Sequence, residues 1–375
     1  MIGMRNISAN DICFDFELIA NYNMIAGFMK GFTMVFPRIN ISFAPAWWHH
    51  YYGMDFDRAF WQDPIARTER GREQQRLLFE RFSDVGLGEA DPQPHPVAGD
   101  AYGHRFMSAF WGCEVAYVTD QFPSAVTLPN ADQRLRHLRV PNVEESPVVQ
   151  QLRMEYRQLV ERYGHCEAVV NFGGPLNNAV SVLGSEIYIA CKTEPDLARL
   201  VLQNMGEAVL AIHDQVVCPL NGLTAAMAHS QAFGIGNCPV GTISPHLYQQ
   251  VVLPADLWLR QQFGDNFNLH HCGIFDAYTE AYLPLRPSTL DLGPGSNLRL
   301  ARAVYPDTPI TTYLEVGGLI RITRQRLDDM LLGLVADAAP MCLFPEIMVA
   351  EAGPEVSDET VRDLLTAQDR LSRLI

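Results

Sequence analysis

The feature that most constrains this fold is an alternation that begins near residue 167. Short apolar stretches capable of forming strands recur, separated by longer amphipathic stretches with helical spacing. The strand-like stretches are 167–172, the segment ending at Phe233, 266–270, 289–292, 310–315 and 340–345, the last of which reads equally as loop. The helical ones are 194–216, 246–262, 297–303, 324–336 and 358–374. Such alternation implies a parallel sheet covered by helices, as either an open doubly wound sheet or a closed barrel. No Gly-x-Gly-x-x-Gly opens a helix after a strand, and no phosphate-cradling Gly-Lys-Ser/Thr loop occurs; Gly234-x-Gly236 alone carries no nucleotide claim. The expectation is therefore an α/β fold, a single (β/α)8 barrel spanning residues 1–375. An N-terminal helical extension and the first barrel elements would occupy about 1–165, and the remaining strand–helix units 166–375. Within the first part, residues 1–45 read as helices, 83–104 as loop, 105–130 as strands and 145–163 as an amphipathic helix. Asp63-Pro64 reads as the cap and first turn of a helix running to Phe82.

Composition narrows the function. The chain has 375 residues, 48% hydrophobic, and a formal net charge of −15. That charge repels phosphate backbones and anionic lipid surfaces, so neither nucleic acid nor membrane is an expected partner. No run of 18 apolar residues suggests a membrane span. Arg5, Asp11, Asp15 and Glu17 interrupt the start, unlike the basic-then-apolar order of a secretory signal. The expected compartment is the cytoplasm. Eight cysteines are scattered through the chain, a spacing unlike a disulfide framework. Most should be small buried hydrophobes.

The exceptions should lie where barrel enzymes place their chemistry, at the C-terminal ends of the strands. His270, Cys272, Cys238 and Glu315 all read as strand-end residues. His270-x-Cys272 can set an imidazole and a thiolate around one ion, and zinc favours that mixture. A third ligand must come from elsewhere. Cys342 is the natural candidate, because it would end a strand roughly two strand–helix units later, each of about 30 residues. Three protein ligands leave one position open, the pattern of a catalytic zinc. Cys238 and Glu315 rank behind as fourth ligands or substrate contacts. His271 should point away from its neighbours and act structurally. The plainer alternative is a loop histidine beside a buried cysteine.

These residues carry a resemblance. Gly241-Thr242-Ile243-Ser244-Pro245, Val252-Leu253-Pro254, Leu269-His270-His271-Cys272-Gly273, Gly317-Gly318 and Met341-Cys342-Leu343-Phe344-Pro345 resemble the uroporphyrinogen decarboxylase superfamily. Phe110-Trp111-Gly112-Cys113-Glu114 and Phe172-Gly173-Gly174-Pro175-Leu176 fit as well. The chain is most similar to the zinc-dependent methylcobamide:thiol methyltransferases, the coenzyme M type branch. The resemblance implies a TIM-type barrel, zinc held by His270, Cys272 and Cys342, a small-molecule substrate, and a methyl group moved to a thiol or related acceptor from a methylated small molecule or from a corrinoid on a separate partner protein. It leaves monomer and homodimer open.

The decarboxylase branch offers a rival reading. Its substrate carboxylates need an arginine-rich N-terminal motif. Here Trp47-Trp48-His49-His50-Tyr51-Tyr52-Gly53 stands in that place. A metal-independent decarboxylase or lyase on another substrate would work through Asp84, by resemblance, with His49 and His50. The aromatic run itself reads either as a hydrophobic plug or as a pocket in which Trp47, Trp48 and Tyr52 hold a methylated cation. A third reading is a non-catalytic metal-binding protein.

Overall fold

The computed structural model describes residues 36–229 and 231–372. Eight parallel strands occur among them. They are β1 (Arg38–Phe43), β2 (Val97–Ala98), β3 (Glu167–Ala168), β4 (Phe233–Gly236), β5 (Phe267–His271), β6 (Thr289–Leu292), β7 (Ile310–Tyr313) and β8 (Glu346–Ala352). Six form one sheet in the order β1-β8-β7-β6-β5-β4, and β2 pairs with β3. The Gly174 amide, just past β3, donates to the Gly236 carbonyl at 3.0 Å and ties the two sheets together. Helices cover the outside: α1 (Pro45–Tyr52), α2 (Pro64–Phe82), α3 (Pro147–Tyr163), α4 (Pro175–Leu183), α5 (Pro195–Ile212), α6 (Leu253–Phe263), α7 (Leu298–Val304), α8 (Arg324–Ala338) and α9 (Asp358–Leu371). This is the α/β barrel architecture anticipated above. No described helix is long and apolar enough to cross a membrane.

Side chains alternate across each strand, and the alternation explains the barrel's polarity. Gly236, His270, Asp291, Thr311 and Glu346 stand level on adjacent strands. In parallel pairing, level residues face the same side. A hydrogen bond joins His270 to Asp291, and another joins Glu346 to Asn40 across the β1–β8 pair. The interior is therefore polar. The intervening residues Leu269, Leu290, Ile310, Ile347 and Ile39 are buried beneath the helices.

Several elements fall where the sequence puts them. Asp63 caps α2, accepting from the amides of Ile65 and Ala66 at 3.0 Å each. Three differ. Arg38–Phe43 is a strand, not helix; its alternation of Ile39 and Ile41 with Asn40 and Ser42 suits a half-polar barrel wall. The rest of the expected N-terminal helices, 1–35, lies outside the described residues. Val97–Ala98, inside the expected loop, is a barrel strand too short to show periodicity. The final strand is 346–352, not 340–345, and that shift has consequences for the site.

Candidate metal centre

Three donors meet at the C-terminal ends of β4 and β5. The ligating atoms of Cys238, His270 and Cys272 all lie within 4.8 Å of one another. β5 carries His270 inward on its last turn of pleat and releases Cys272 just beyond. Gly236 of β4 lies level with His270, so Cys238 emerges beside them. Close backbone approach fixes these turns. The Asn237 amide donates to the His270 carbonyl at 2.8 Å, and the Gly293 amide to the His271 carbonyl at 2.6 Å. A Cβ on Gly293 would sit 1.8 Å from the Cys272 carbonyl oxygen, and one on Gly174 would sit 2.7 Å from Gly236 and Asn237 oxygens. Neither position admits a side chain.

Neighbouring polar groups orient the donors. Asp291 Oδ2 lies 2.8 Å from His270 Nδ1, and the Tyr313 hydroxyl donates to the same oxygen at 3.1 Å. This leaves His270 Nε2 facing the sulfurs, 2.8 Å from Cys272 Sγ. Burial opposes the charged imidazole, but the Asp291 charge and the Cys238 sulfur outweigh it and raise His270 to about 9. A hydrogen bond from Cys272, with help from His270 and Asn177, draws the Cys238 thiol down to about 4 against burial, and Cys272 keeps the proton. Of the two sulfurs, Cys238 is thus the one that ionises more readily. By contrast, burial pushes the Cys113, Cys191 and Cys218 thiols up to about 11 and Cys166 to about 12. Without an ion, burial keeps these four sulfurs protonated, as expected of most positions.

Beneath Cys238, Asn237 Nδ2 donates to Asp256 Oδ2 at 2.7 Å, and the Tyr248 hydroxyl to the same atom at 2.8 Å. Complete burial raises Asp256 to about 7. Glu351 completes the surroundings at the end of β8, with a left-handed φ of 59°. Burial raises its carboxyl too, and it is close enough for its charge to raise the Cys272 thiol. His104, held neutral by burial with a pKa of about 4, feels the Cys238 charge from another side.

The donor chemistry suits zinc. Two sulfurs and one oriented imidazole nitrogen form a three-ligand set, and Cys272 is solvent-accessible while Cys238 is half-buried. The Asp291–His270 contact is the carboxylate–histidine arrangement that fixes a metal-binding tautomer.

Of the residues singled out from sequence, the structure brings His270, Cys272 and Cys238 together. The expectation for Cys342 is corrected: it precedes β8 instead of ending a strand, so it lies at the opposite end of a parallel sheet, exposed and outside this group. Glu315 follows β7 at the correct end, but it is exposed and caps a single short turn. Asp84 is exposed and paired with Arg362 at 2.8 Å. His49 is exposed against Asp55, and His50 is exposed with its ring against Tyr51. The three do not converge. Trp47 and Trp48 are wholly buried on α1, packed on Phe43, Phe82 and Tyr52. The cation over this aromatic cluster is the chain's own Arg81, 4.0 Å from the Tyr51 ring and 5.1 Å from that of Trp47. Both indoles are packed into the core, so the cation pocket at Trp47 and Trp48 is corrected. His271 is buried on the outer side, 3.1 Å from the Tyr282 hydroxyl. Sequence reasoning missed Asp291, whose signal was a lone carboxylate in the apolar strand Thr-Leu-Asp-Leu. It also missed Asn237, Asp256 and Glu351.

No family model matches the sequence, and no curated protein matches it. Among solved structures, a methyltransferase from Methanosarcina mazei superposes with a TM-score of 0.60 at 15% identity, over 93% of this chain and 97% of that one. A B12-independent methionine synthase from Shewanella sp. W3-18-1, in complex with selenomethionine, gives a TM-score of 0.42 at 11% identity, over 91% and 97%. The first likeness shows that the barrel is shared along nearly its whole length.

Proposed function

We propose that this chain is a zinc-dependent methyltransferase that methylates a small thiol. The observation that carries the reading is the convergence of Cys238, His270 and Cys272 at the catalytic end of the barrel. The barrel shared with a methyltransferase is consistent with it. Zinc held by the three residues would supply Lewis acidity, lowering the pKa of a substrate thiol so that it is a thiolate at neutral pH.

The chain's own residues prepare that step. Asp291 and Tyr313 keep His270 Nε2 aimed at the sulfurs. Asn177 hydrogen-bonds Cys238, and the Asp256–Asn237 contact holds the turn from which Cys238 projects. Glu351, exposed at the end of β8 and near enough to Cys272 for its charge to act on it, is the group we assign to accept the thiol proton. The sulfur–methyl bond then forms as the donor–methyl bond breaks, and the electron pair stays with the donor. We assign that donor as a methylated corrinoid on a separate protein, since no corrinoid-binding motif is evident in this sequence.

The test is zinc content and methylation of a small thiol by methylcobalamin, compared across variants. Cys272→Ser and Cys238→Ser should each lose one zinc equivalent and the activity, and Cys342→Ser should lose neither. Full zinc and full activity in Cys238→Ser would overturn the assignment.

A further inference from the structure

A second group of zinc-type donors lies at the other end of the barrel, independent of the proposed function. After α5 the chain widens into a π-helical turn, His213–Val217, and the Cys218 amide bonds to the His213 carbonyl five residues back. Five residues along an α-helix project about 140° apart; the wider turn brings residues i and i+5 toward one face. Cys218 Sγ accordingly lies 3.5 Å from His213 Nδ1. One oxygen, Asp214 Oδ1, receives two imidazoles: His213 Nδ1 at 2.7 Å and His229 Nε2 at 2.8 Å. The ligating atoms of His213, Asp214 and His229 lie within 4.8 Å of one another.

We propose that His213, Asp214, His229 and Cys218 form a structural zinc site at the foot of the barrel. Three donors already meet, and Cys218, 3.5 Å from His213 Nδ1, would complete a closed tetrahedral set of mixed nitrogen, oxygen and sulfur type by turning its sulfur toward Asp214 and His229. Donors on bonds of about 2.0–2.1 Å stand roughly 3.3 Å apart in a tetrahedron, so the two His–Asp contacts need open by only about half an ångström. On binding, the Cys218 thiol releases one proton, and each imidazole keeps its proton on the nitrogen turned away from the ion. The rings of Phe172, Phe233 and Phe263 surround His213, with centroids 5.9, 5.8 and 4.8 Å away. They wall one side of His213, which is buried, while Asp214 and His229 stay about a quarter exposed. A cavity of about 500 Å³, which His213 and Cys218 help to line, provides the way in. The site would join the end of α5 to the segment leading into β4, two elements otherwise linked by a loop.

The test is zinc content of the full chain purified without chelator, with folding of each variant checked by circular dichroism and thermal melting. The wild type should carry two equivalents, Cys272→Ser one, Asp214→Asn one, Cys218→Ser one, and Cys272→Ser/Asp214→Asn none. Cobalt substituted into Cys272→Ser should show a thiolate charge-transfer band that Cys218→Ser removes. One equivalent in the wild type that is lost in Cys272→Ser and kept in Asp214→Asn would overturn the foot site and spare the mouth. One equivalent with the opposite behaviour would sustain the foot site and overturn the mouth. Wild-type protein that neither contains nor binds added zinc would overturn both.

Discussion

The two ends of β4 invite comparison. Just beyond its C-terminal end stands Cys238, in a group of three donors with one side accessible to water. Just before its N-terminal end stands His229, in a group of three donors with Cys218 beside His213 and phenylalanine rings against it. The mouth group is carried by strand ends pinned into the sheet by backbone hydrogen bonds and by glycines that no other residue can replace. The foot group depends on a widened helical turn. A rigid, incomplete donor set suits chemistry, because an open position can receive substrate; a complete one suits tethering. The lesson is that what carries the donors, strand ends at the mouth and a widened helical turn at the foot, separates the two ends more than donor count does.

The sharpest way to break this comparison is to remove a sulfur from each end. Cys238→Ser at the mouth should lower thiol methylation by roughly a thousandfold, the equivalent of several kcal/mol of charge stabilisation. Cys218→Ser at the foot should act mainly on melting temperature. Equal activity losses from the two would erase the distinction. Next in size is Asp291→Asn, which removes the carboxylate orienting His270. Zinc affinity at the mouth should fall roughly 10–100-fold, as losses of such partners do, when measured by competition with a chromogenic chelator in an Asp214→Asn background. Unchanged affinity would show that Asp291 does not position the ligand.

A smaller effect sharpens the contrast in exchange. Under dilute chelator the mouth, where Cys272 is exposed, should surrender its zinc several-fold faster than the foot, where His213 is buried, so release should follow two phases, the fast one missing in Cys272→Ser. A single phase would place both ions in equal access to water. The smallest effect concerns pH. Asp256 is raised to about 7 in the fold from an ordinary value near 4, so its protonated form stabilises the native state. That contribution is complete below about pH 4 and lost as pH rises through 7. Melting temperature should fall by a few degrees more across this window in the wild type than in Asp256→Asn, which cannot ionise. Parallel pH profiles would remove Asp256 from the account of how the mouth is held.

How much was legible follows from how locally each feature is encoded. Strands such as Thr289–Leu292 and helices such as Arg324–Ala338 announce themselves through apolar runs and spacing within one element. The two-residue strands Val97–Ala98 and Glu167–Ala168 are too short to carry a period and are set by their neighbours. His270 and Cys272 are two residues apart, so their meeting needed only a strand end. Placing the last strand six residues early was enough to move Cys342 in imagination from the foot to the mouth, and Cys238 was correspondingly ranked too low.

By itself, the sequence determined the class of fold and the presence of imidazole and thiol at one strand end, because side-chain periodicity and turn chemistry act over a few residues. Only the tertiary structure decided that Cys238 meets His270 and Cys272, that Asp291 orients His270, that Arg81 occupies the aromatic cluster, and that His213 and His229 share one carboxylate. Those pairings join residues far apart in the chain. They depend on which strands lie side by side, in what register, and at which end of the barrel each residue emerges.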